Sequence, residues 1–213
     1  MEIQTEERVE TIGAVAIQTG IDPLVLHFGP LIEKLSDDDF FDFFRLNEEL
    51  RLELTGEGDL LIMPPTGGKT GRRNFKLTSR FGNWVEQDGT GQGFDSSTIF
   101  TLPNGAKRSP DLAWVHNERW GALTEEQQEK FPPLCPDFVA EIRSRTDRLK
   151  VLQEKMQEYV ENGAQLGWLL DPLEWKVYVY RPQTEVEILD NPQTLSGDPV
   201  LSGLTLNVPE IWD

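Results

Sequence analysis

The sequence predicts an α/β fold in which helices flank a mixed sheet, and two observations lead to this class. The chain has 213 residues, of which 38% are hydrophobic and 27% charged, a composition typical of one globular domain with a sizeable core. A strand pattern at 137–142, an amphipathic helix up to about residue 162 and an apolar run at 166–170 follow one another directly. Strand, crossover helix and strand in this order form a unit whose two strands pair in parallel.

The N-terminal part predicts a helix and then a hairpin. Ser36 precedes three aspartates and the apolar Phe40, Phe41 and Phe44, which is the pattern of a capped helix start, and we expect this helix to end near Glu49. The segment 52–63 alternates between apolar and polar residues, is interrupted by two glycines and stops at two prolines. This pattern indicates a hairpin.

An amphipathic helix with a basic stripe is predicted from about residue 70 to 86. Its apolar residues Leu77, Phe81 and Trp84 recur at helical spacing. Another face of the same helix carries the basic stripe: Lys69, Arg72, Arg73, Lys76 and Arg80. Basic side chains neutralise phosphates, so the stripe is a candidate contact for nucleic acid, with a solvated helix face as the alternative.

The middle of the chain predicts a second hairpin and two helices. Strand signals at 96–102 and 111–115 flank the turn residues 103–105, which favours pairing between these two strands. A short helix is expected at 124–130. Ser144 and Asp147 have the spacing of a capping box, and this box would begin a long helix that ends at Asn162 before Gly163. The buried seam of that helix would consist of Leu149, Leu152, Met156 and Tyr159.

The C-terminal part predicts a closing antiparallel hairpin formed by 176–181 and 184–188, followed by a short irregular tail. We expect a single domain over 1–213. Within it, 1–65 is an N-terminal helix and hairpin, 70–171 is the core, and 172–213 is the C-terminal hairpin and tail.

Charge and cysteine content exclude several classes of protein. The net charge is −17, which argues against a protein that coats nucleic acid. This charge divides into −11 for residues 1–60, +1 for 61–160 and −7 for 161–213. An anion-binding centre is therefore favoured only within residues 61–160. No apolar stretch approaches the roughly 20 residues of a membrane span, and no secretory signal is recognised. The single cysteine, Cys135, predicts a reducing cytoplasmic location without membrane partners.

Three residues in the core segment point to chemistry. Asp111 opens a strand after Pro110, and Glu141 lies within a strand that belongs to the buried unit, where a carboxylate is costly unless it is paired or binds a metal. Lys155, on the following helix, can reach the end of that strand. Two carboxylates and a lysine suit Mg²⁺ and phosphodiester hydrolysis. The alternative is structural: a salt bridge from Glu141 to one of the nearby arginines Arg143, Arg145 or Arg148, a strand cap at Asp111 and a surface role for Lys155.

Long stretches of the chain resemble the Uma-two family of endonuclease-like proteins, a group within the PD-(D/E)XK restriction-endonuclease-like superfamily. The resemblance is carried by "FGNWVEQDGTGQGFDSSTIFTLPNGAKRSPDLAWV" and "FPPLCPDFVAEIRSRTDRLKVLQEKMQEYVENGAQLGWLLDP". It implies the three-layer core of these enzymes, with a mixed central sheet between helices. The Pro-Asp motif then corresponds to Pro110 and Asp111, and the (D/E)XK element to residues 141–143.

The resemblance also implies the remaining site residues. The element at 141–143 ends in Arg143 instead of lysine, and Lys155 matches a lysine that has migrated to the next helix. Glu53 in the N-terminal hairpin completes the acidic set, with Glu57 as a near competitor. Many relatives carry histidine where Gly71 stands here, so the role of that loop is open.

The function expected from residues and resemblance together is Mg²⁺- or Mn²⁺-dependent cleavage of duplex DNA by an endodeoxyribonuclease. In this interpretation Asp111, Glu141 and Glu53 hold the ion, and Lys155 positions or polarises the attacking water. Contacts to the nucleic-acid backbone come from the basic stripe and from Lys107, Arg108, Arg143 and Arg145. Two alternatives stay open: a catalytically silent module that forms a homodimer or binds a protein partner, and a phosphoesterase for small phosphates.

Overall fold

The computed structural model describes residues 23–212, which form two principal sheets and a small strand pair. The first sheet is antiparallel, with strand order β1-β3-β2-β6-β5. Its strands are β1 (Leu24–His27), β2 (Arg51–Leu54), β3 (Asp59–Met63), β5 (Phe100–Thr101) and β6 (Lys107–Arg108).

The second sheet is the centre of the molecule and has the strand order β11-β10-β9-β8-β7-β4. Strands β8 and β9 pair in parallel, whereas their neighbours in this sheet pair antiparallel. The strands are β4 (Gly91–Asp95), β7 (Leu112–His116), β8 (Phe138–Ile142), β9 (Leu166–Asp171), β10 (Lys176–Tyr180) and β11 (Glu187–Asp190). The small pair is β12 (Thr194–Ser196) with β13 (Thr205–Asn207).

Six α-helices and a 3-10 helix at Gly29–Lys34 complete the described chain. The α-helices are α1 (Asp37–Leu46), α2 (Gly68–Asp88), α3 (Asn117–Gly121), α4 (Glu125–Glu129), α5 (Leu149–Glu161) and α6 (Pro209–Trp212). Helix α1 begins at the predicted cap Ser36, which forms a capping box with Asp39, and Thr124 caps α4 in the same way.

Helices cover both faces of the central sheet, so the α/β class and its three layers are confirmed. Leu77 and Phe81 of α2 pack in one core cluster with Phe138. Met156 of α5 packs in another cluster with Val139, the next residue of the same strand. Since successive side chains of a strand point to opposite faces, α2 and α5 lie on opposite sides of β8. The parallel β8-α5-β9 unit is the one predicted from the sequence.

The pairing predicted for the middle hairpin is wrong. The turn at 103–105 joins β5 to β6, and β7 pairs instead with β4 and β8. Pro110 lies between β6 and β7 and lacks the N–H that a continuous strand needs. Strand β4 was not predicted because Gly91 and Gly93 weaken its pattern, yet a Cβ at Gly91 would lie 2.3 Å from the Trp114 ring. The close approach of that ring therefore requires glycine.

Two further predictions need correction. The long helix α5 begins at Leu149, and Arg148 makes no side-chain cap hydrogen bond. Asp147 instead accepts a 2.7 Å hydrogen bond from the backbone N–H of Ser144, which closes a turn ahead of the helix. The C-terminal tail is ordered rather than irregular, since it forms β12, β13 and α6. It buries a set of apolar side chains in the main core: Leu195, Leu201, Leu204, Leu206, Val208, Ile211 and Trp212.

Candidate active site

Four residues that the sequence singled out come from four different elements of the fold. Glu53 belongs to β2, Asp111 lies directly before β7, Glu141 is in β8, and Lys155 is on α5. In the antiparallel pair β7-β8, Leu112 faces Ala140, so the next step along the ladder brings Asp111 to Glu141. The backbone N–H of Ile142 donates to Asp111 Oδ2 at 2.8 Å, which holds this carboxylate at the sheet.

The first sheet brings Glu53 to the same place. Strand β2 pairs with β6 through Leu54 and Lys107, and the chain runs from β6 straight to Asp111. The backbone N–H of Ser109 donates to Glu53 Oε1 at 3.2 Å. The Pro-Asp segment therefore links the two sheets, and Glu53 approaches the central sheet along it.

Lys155 connects two of the carboxylates. Its Nζ lies 2.7 Å from Glu53 Oε1 and 2.7 Å from Glu141 Oε1. The three side chains are almost entirely buried, with 10%, 5% and 7% exposed for Lys155, Glu53 and Glu141. Moving the ammonium group away would leave uncompensated charges in a low-dielectric environment. The two ion pairs therefore hold the ammonium group of Lys155 in place.

A second buried cation, Arg108, extends the network on the far side of Glu53. Its Nη1 lies 3.1 Å from Glu53 Oε2, and its Nε lies 2.6 Å from Glu158 Oε2. Tyr159 donates a weak 3.4 Å hydrogen bond to Glu141 Oε1. We call the six charged residues Glu53, Arg108, Asp111, Glu141, Lys155 and Glu158 the site cluster.

The carboxylates of the site cluster differ in their electrostatics. Burial raises the pKa of Glu141 to about 8, the charges of Asp111 and Glu53 add to this rise, and Lys155 opposes it. Burial also raises the pKa of Asp111. For Glu53 burial acts in the same direction, but Lys155 and Arg108 outweigh it and lower the pKa. Glu53 is thus the carboxylate whose negative charge is balanced by Lys155 and Arg108.

The donor set fits a hard divalent cation at Asp111 and Glu141 more closely than at Glu53. Carboxylate oxygens are ligands for Mg²⁺ and Mn²⁺, and a cation near Glu141 would favour the ionised form that burial disfavours. Glu53 pairs directly with two cations, Lys155 on one oxygen and Arg108 on the other, so its charge is already balanced. In the described part of the chain, Asp111 accepts hydrogen bonds only from uncharged donors, the Asn74 amide and the Ile142 N–H. Within residues 23–212, no group of three or more acidic, His or Cys residues has the geometry of a metal centre.

The structural alternative for Glu141 can be compared with these contacts. Arg143 pairs with Asp171 at 2.7 Å rather than with Glu141, and the cation beside Glu141 is Lys155. Lys155 is buried, so it is no surface residue. Glu57, the competitor of Glu53, is exposed in the β2-β3 turn.

Several residues expected to contact nucleic acid have other partners. Lys107 is 1% exposed and donates to Asp37 at 2.6 Å, while Arg108 belongs to the site cluster. Arg143 binds Asp171. All three side chains are thus paired with carboxylates of this chain, and their contacts with nucleic acid stay a prediction. Arg145 is exposed, and its contact with nucleic acid stays a prediction.

The basic stripe of α2 divides into two parts. Arg73 donates two hydrogen bonds to the Trp212 carbonyl, Lys76 donates to the Glu210 carbonyl at 2.7 Å, and Arg80 pairs with the Glu210 carboxylate. These three side chains hold the C-terminal segment. The other two, Lys69 and Arg72, are exposed, as is Gly71, which lies within α2 and not in the loop expected from the sequence.

Sequence reasoning missed the roles of Arg108, Glu158 and Asn74. Arg108 lies beside Lys107 in a basic pair, which resembles a surface pattern. Glu158 is on α5 two residues after the buried Met156, on a helix rich in glutamates. Asn74 donates to Asp111 Oδ1 at 2.8 Å, and its position on a basic helix carried no signal of a site. Their spacing gave nothing to connect them with Asp111 or Glu53 before the fold was known.

Known proteins with similar sequences and structures define the family. Residues 37–209 match the model of the Uma2 family, whose description is "Putative restriction endonuclease". The chain belongs to the Uma2 family. A solved structure similar to it is that of "a putative nuclease belonging to DUF820" from Anabaena variabilis ATCC 29413, with 25% sequence identity and a TM-score of 0.69. The similarity covers 84% of this chain and 97% of that one. No protein of curated function matches this chain significantly.

These matches confirm the family resemblance and the nuclease-like fold, and they support a nuclease function. Restriction-endonuclease-like proteins generally use divalent metal ions, and a nuclease acts on nucleic acid. In the part of the chain that the structure describes, no helix is both long enough and apolar enough to cross a membrane.

Proposed function

We propose that this Uma2 protein is a Mg²⁺- or Mn²⁺-dependent endonuclease that hydrolyses phosphodiester bonds of duplex DNA. The observation that carries the proposal is the buried ammonium group of Lys155, which lies 2.7 Å from both Glu53 and Glu141. A lysine held between carboxylates next to Asp111 is costly to build and has no evident structural purpose that an apolar residue could not serve.

Asp111 and Glu141 are the proposed ligands of the ion, which when bound supplies a Lewis acid and a water of lowered pKa. Glu53 has a different proposed role from the one expected from the sequence. Because the cations Lys155 and Arg108 already balance its charge, it positions Lys155 instead of binding the ion. Arg108 in turn holds Glu53 ionised.

Lys155 acts in this proposal as a hydrogen-bond donor and a positive charge. Burial alone would lower its pKa, but the charges of Glu141 and Glu53 outweigh burial and raise it. The ammonium group therefore stays protonated and cannot serve as a general base. It can orient the attacking water or stabilise negative charge that develops on the phosphate.

The proposed DNA contacts are the exposed cations Lys69 and Arg72 at the start of α2, together with Arg145. Burial raises the pKa of Asp111, and Arg51 is one of the groups that oppose this rise, so a further cation lies near the acidic centre. The strongly acidic flanks of the chain would keep non-specific affinity low. Cys135 is buried and unpaired, which suits the reducing cytoplasm as the proposed location.

The proposal is tested by cleavage of plasmid DNA and by thermal unfolding, each with and without Mg²⁺ or Mn²⁺. The wild-type protein should cut the plasmid only with the ion, and the ion should raise the melting temperature by mass action. Asp111→Asn combined with Glu141→Gln should abolish both effects. Glu57→Gln removes an exposed carboxylate of the β2-β3 turn and should preserve both.

An equal rise of melting temperature in the wild type and the double variant would contradict this metal site. Metal binding by the wild type without cleavage of any duplex, single-stranded or RNA substrate would instead favour the silent interaction module. Hydrolysis of small phosphate esters alone would favour the phosphoesterase.

A further inference from the structure

Asn74 on α2 contacts Asp111 with one end of its amide and leaves the other end without a partner. Its Nδ2 donates to Asp111 Oδ1 at 2.8 Å. Its Oδ1 is buried and accepts no hydrogen bond from any described residue. Buried polar atoms of native proteins nearly always have a partner, so an orphaned acceptor calls for a missing ligand, ion or water.

The orientation of this amide is fixed by its neighbour. Exchanging the two ends would place Oδ1 against Asp111 Oδ1, and two acceptors would then face each other. The other orphaned side-chain atoms of the described residues are indole nitrogens of Trp114, Trp168 and Trp212 in the apolar core. Asn74 is different because its orphaned atom is an acceptor and lies on a residue that touches the site cluster.

Asp111 is held by two donors from two different elements. The amide of Asn74 binds one oxygen and the backbone N–H of Ile142 binds the other, each at 2.8 Å. Each carboxylate oxygen keeps a further lone pair. The carboxylate is therefore preorganised, in the way that partners of metal ligands usually orient them.

We propose that Asn74 is part of the cation site. It positions Asp111, and its free Oδ1 accepts a hydrogen bond from a water molecule of the hydrated divalent ion held by Asp111 and Glu141. This inference rests on the proposed function and deepens it. Mg²⁺ and ions like it keep several waters when few carboxylates bind them, and such waters are donors that need acceptors nearby.

A purely structural role for Asn74 would have other consequences. If the amide only tied α2 to β7, its loss would weaken folding whether or not metal was present. If Oδ1 also accepts a hydrogen bond from a metal-bound water, its loss lowers Mn²⁺ affinity as well, and a variant that keeps an acceptor at this position retains that affinity. The two roles therefore differ in Mn²⁺ affinity rather than in the stability of the metal-free protein.

The test is Mn²⁺ binding by isothermal titration calorimetry, with thermal unfolding of the metal-free protein and no DNA present. Asn74→Leu should lower Mn²⁺ affinity roughly 10- to 100-fold, the range for losing a partner of a metal ligand, and should also lower the metal-free melting temperature, because Asp111 loses the donor at its Oδ1. Asn83→Leu changes an exposed asparagine of the same helix and should leave Mn²⁺ affinity unchanged.

Asn74→Asp gives a second readout that does not depend on the leucine variant folding. It keeps an acceptor in place of Oδ1 but puts a carboxylate against Asp111, so the metal-free melting temperature should fall and Mn²⁺ affinity should be retained or increased. If Asn74→Leu binds Mn²⁺ as tightly as the wild type does, or if Asn74→Leu and Asn74→Asp lose affinity equally, the proposed role of Asn74 is overturned. The proposed function would not be affected by either result. Absence of Mn²⁺ binding by the wild type would overturn the proposed function together with this inference.

Discussion

Two groups of charged side chains connect distant parts of this chain, and they differ in how their charges balance. The site cluster joins β2, β6, β8, α5 and the segment before β7. The C-terminal contact, formed by Arg73, Lys76 and Arg80 with the backbone and side chain of α6, joins α2 to the end of the chain. Both groups consist of polar contacts between residues that are far apart in sequence.

The site cluster has more carboxylates than cations. Four acids, Glu53, Asp111, Glu141 and Glu158, face two cations, Arg108 and Lys155, and the pKa of Glu141 is raised to about 8. In the C-terminal contact, half-exposed cations meet one carboxylate and two backbone carbonyls, so no acid is left over. An excess of buried carboxylates is typical of a functional site, whereas partly exposed cations that bind carbonyls and a single carboxylate hold two elements together.

The largest expected effect comes from removing the cation that Glu53 and Glu141 share. Lys155→Met should lower the rate of DNA cleavage by roughly 10²–10³-fold, the scale of losing one donor that acts in the transition state. Methionine keeps the apolar part of the lysine side chain, and Glu141 can bind a proton in place of the lost positive charge, so the fold should persist. Single-turnover cleavage of labelled duplex at saturating metal measures the change.

Lys150→Met is the matched control on the same helix. Its side chain is 86% exposed and pairs only with Glu154 at 3.7 Å, a surface pair of little energetic value. Its cleavage rate should stay near that of the wild type. Similar losses in the two variants would indicate a general effect of charge rather than a role of Lys155 in the site.

The next effect is the pH dependence of stability, which follows from the raised pKa of Glu141. In the unfolded chain this acid loses its proton near pH 4.5, whereas in the folded protein its pKa is about 8. Between these values the folded state binds more protons, so the free energy of unfolding of the metal-free protein should fall as pH rises, by up to about 1.4 kcal/mol per pH unit. The raised pKa of Asp111 acts in the same direction.

Urea unfolding at several pH values from 5 to 8 measures this slope. Glu141→Gln should flatten it, because glutamine does not titrate. The lowered pKa of Glu53 contributes stability that is lost as pH falls through that lowered pKa, outside this window. A wild-type slope that survives in Glu141→Gln would assign the effect to another group.

The sequence predicted the central unit of the fold well because its signals are local. The β8-α5-β9 unit combines an apolar strand, a helical seam and a second apolar strand in direct succession, and each pattern determines its own element. The pairing of β7 depends on Gly91, which packs under Trp114, and the order of the tail depends on burial against α2. Neither contact has a pattern within its own segment.

The same distinction applies to the candidate site. Asp111 and Glu141 could be selected because a carboxylate in a buried strand is unusual in itself. The division of the basic stripe could not be predicted, since Arg73 and Arg72 are adjacent in sequence and only the position of α6 separates a bound side chain from an exposed one. Arg108 was assigned to nucleic-acid contacts for the same reason, because its partners Glu158 and Glu53 lie 50 and 55 residues away.

The division of the stripe leads to a smaller effect, on DNA affinity. Lys69→Gln with Arg72→Gln should weaken binding to any duplex about equally and reduce the log–log salt slope by roughly 0.9 for each phosphate that is no longer neutralised. Arg73→Gln with Arg80→Gln should leave that slope unchanged and lower the melting temperature.

Filter binding at several salt concentrations tests the slope, and light scattering should show the same mass for all variants. A change in mass for Lys69→Gln with Arg72→Gln would assign this face to a dimer interface.

The smallest expected effect is that of the ion pair within the C-terminal contact. Glu210→Gln removes the charge that faces Arg80, and both side chains are about 40% exposed, so solvent screening limits the loss to about 0.5 kcal/mol, or about 1–2 °C in melting temperature. Arg73 and Lys76 bind backbone carbonyls and keep their partners. Ile211 and Trp212 remain buried in the core, and this apolar burial supplies most of the stabilisation of α6. Calorimetry in low and high salt measures the difference, which should vanish in high salt. A loss above about 2 kcal/mol would exceed the range of a surface ion pair and would mean that charge, rather than apolar burial, holds the end of the chain against α2.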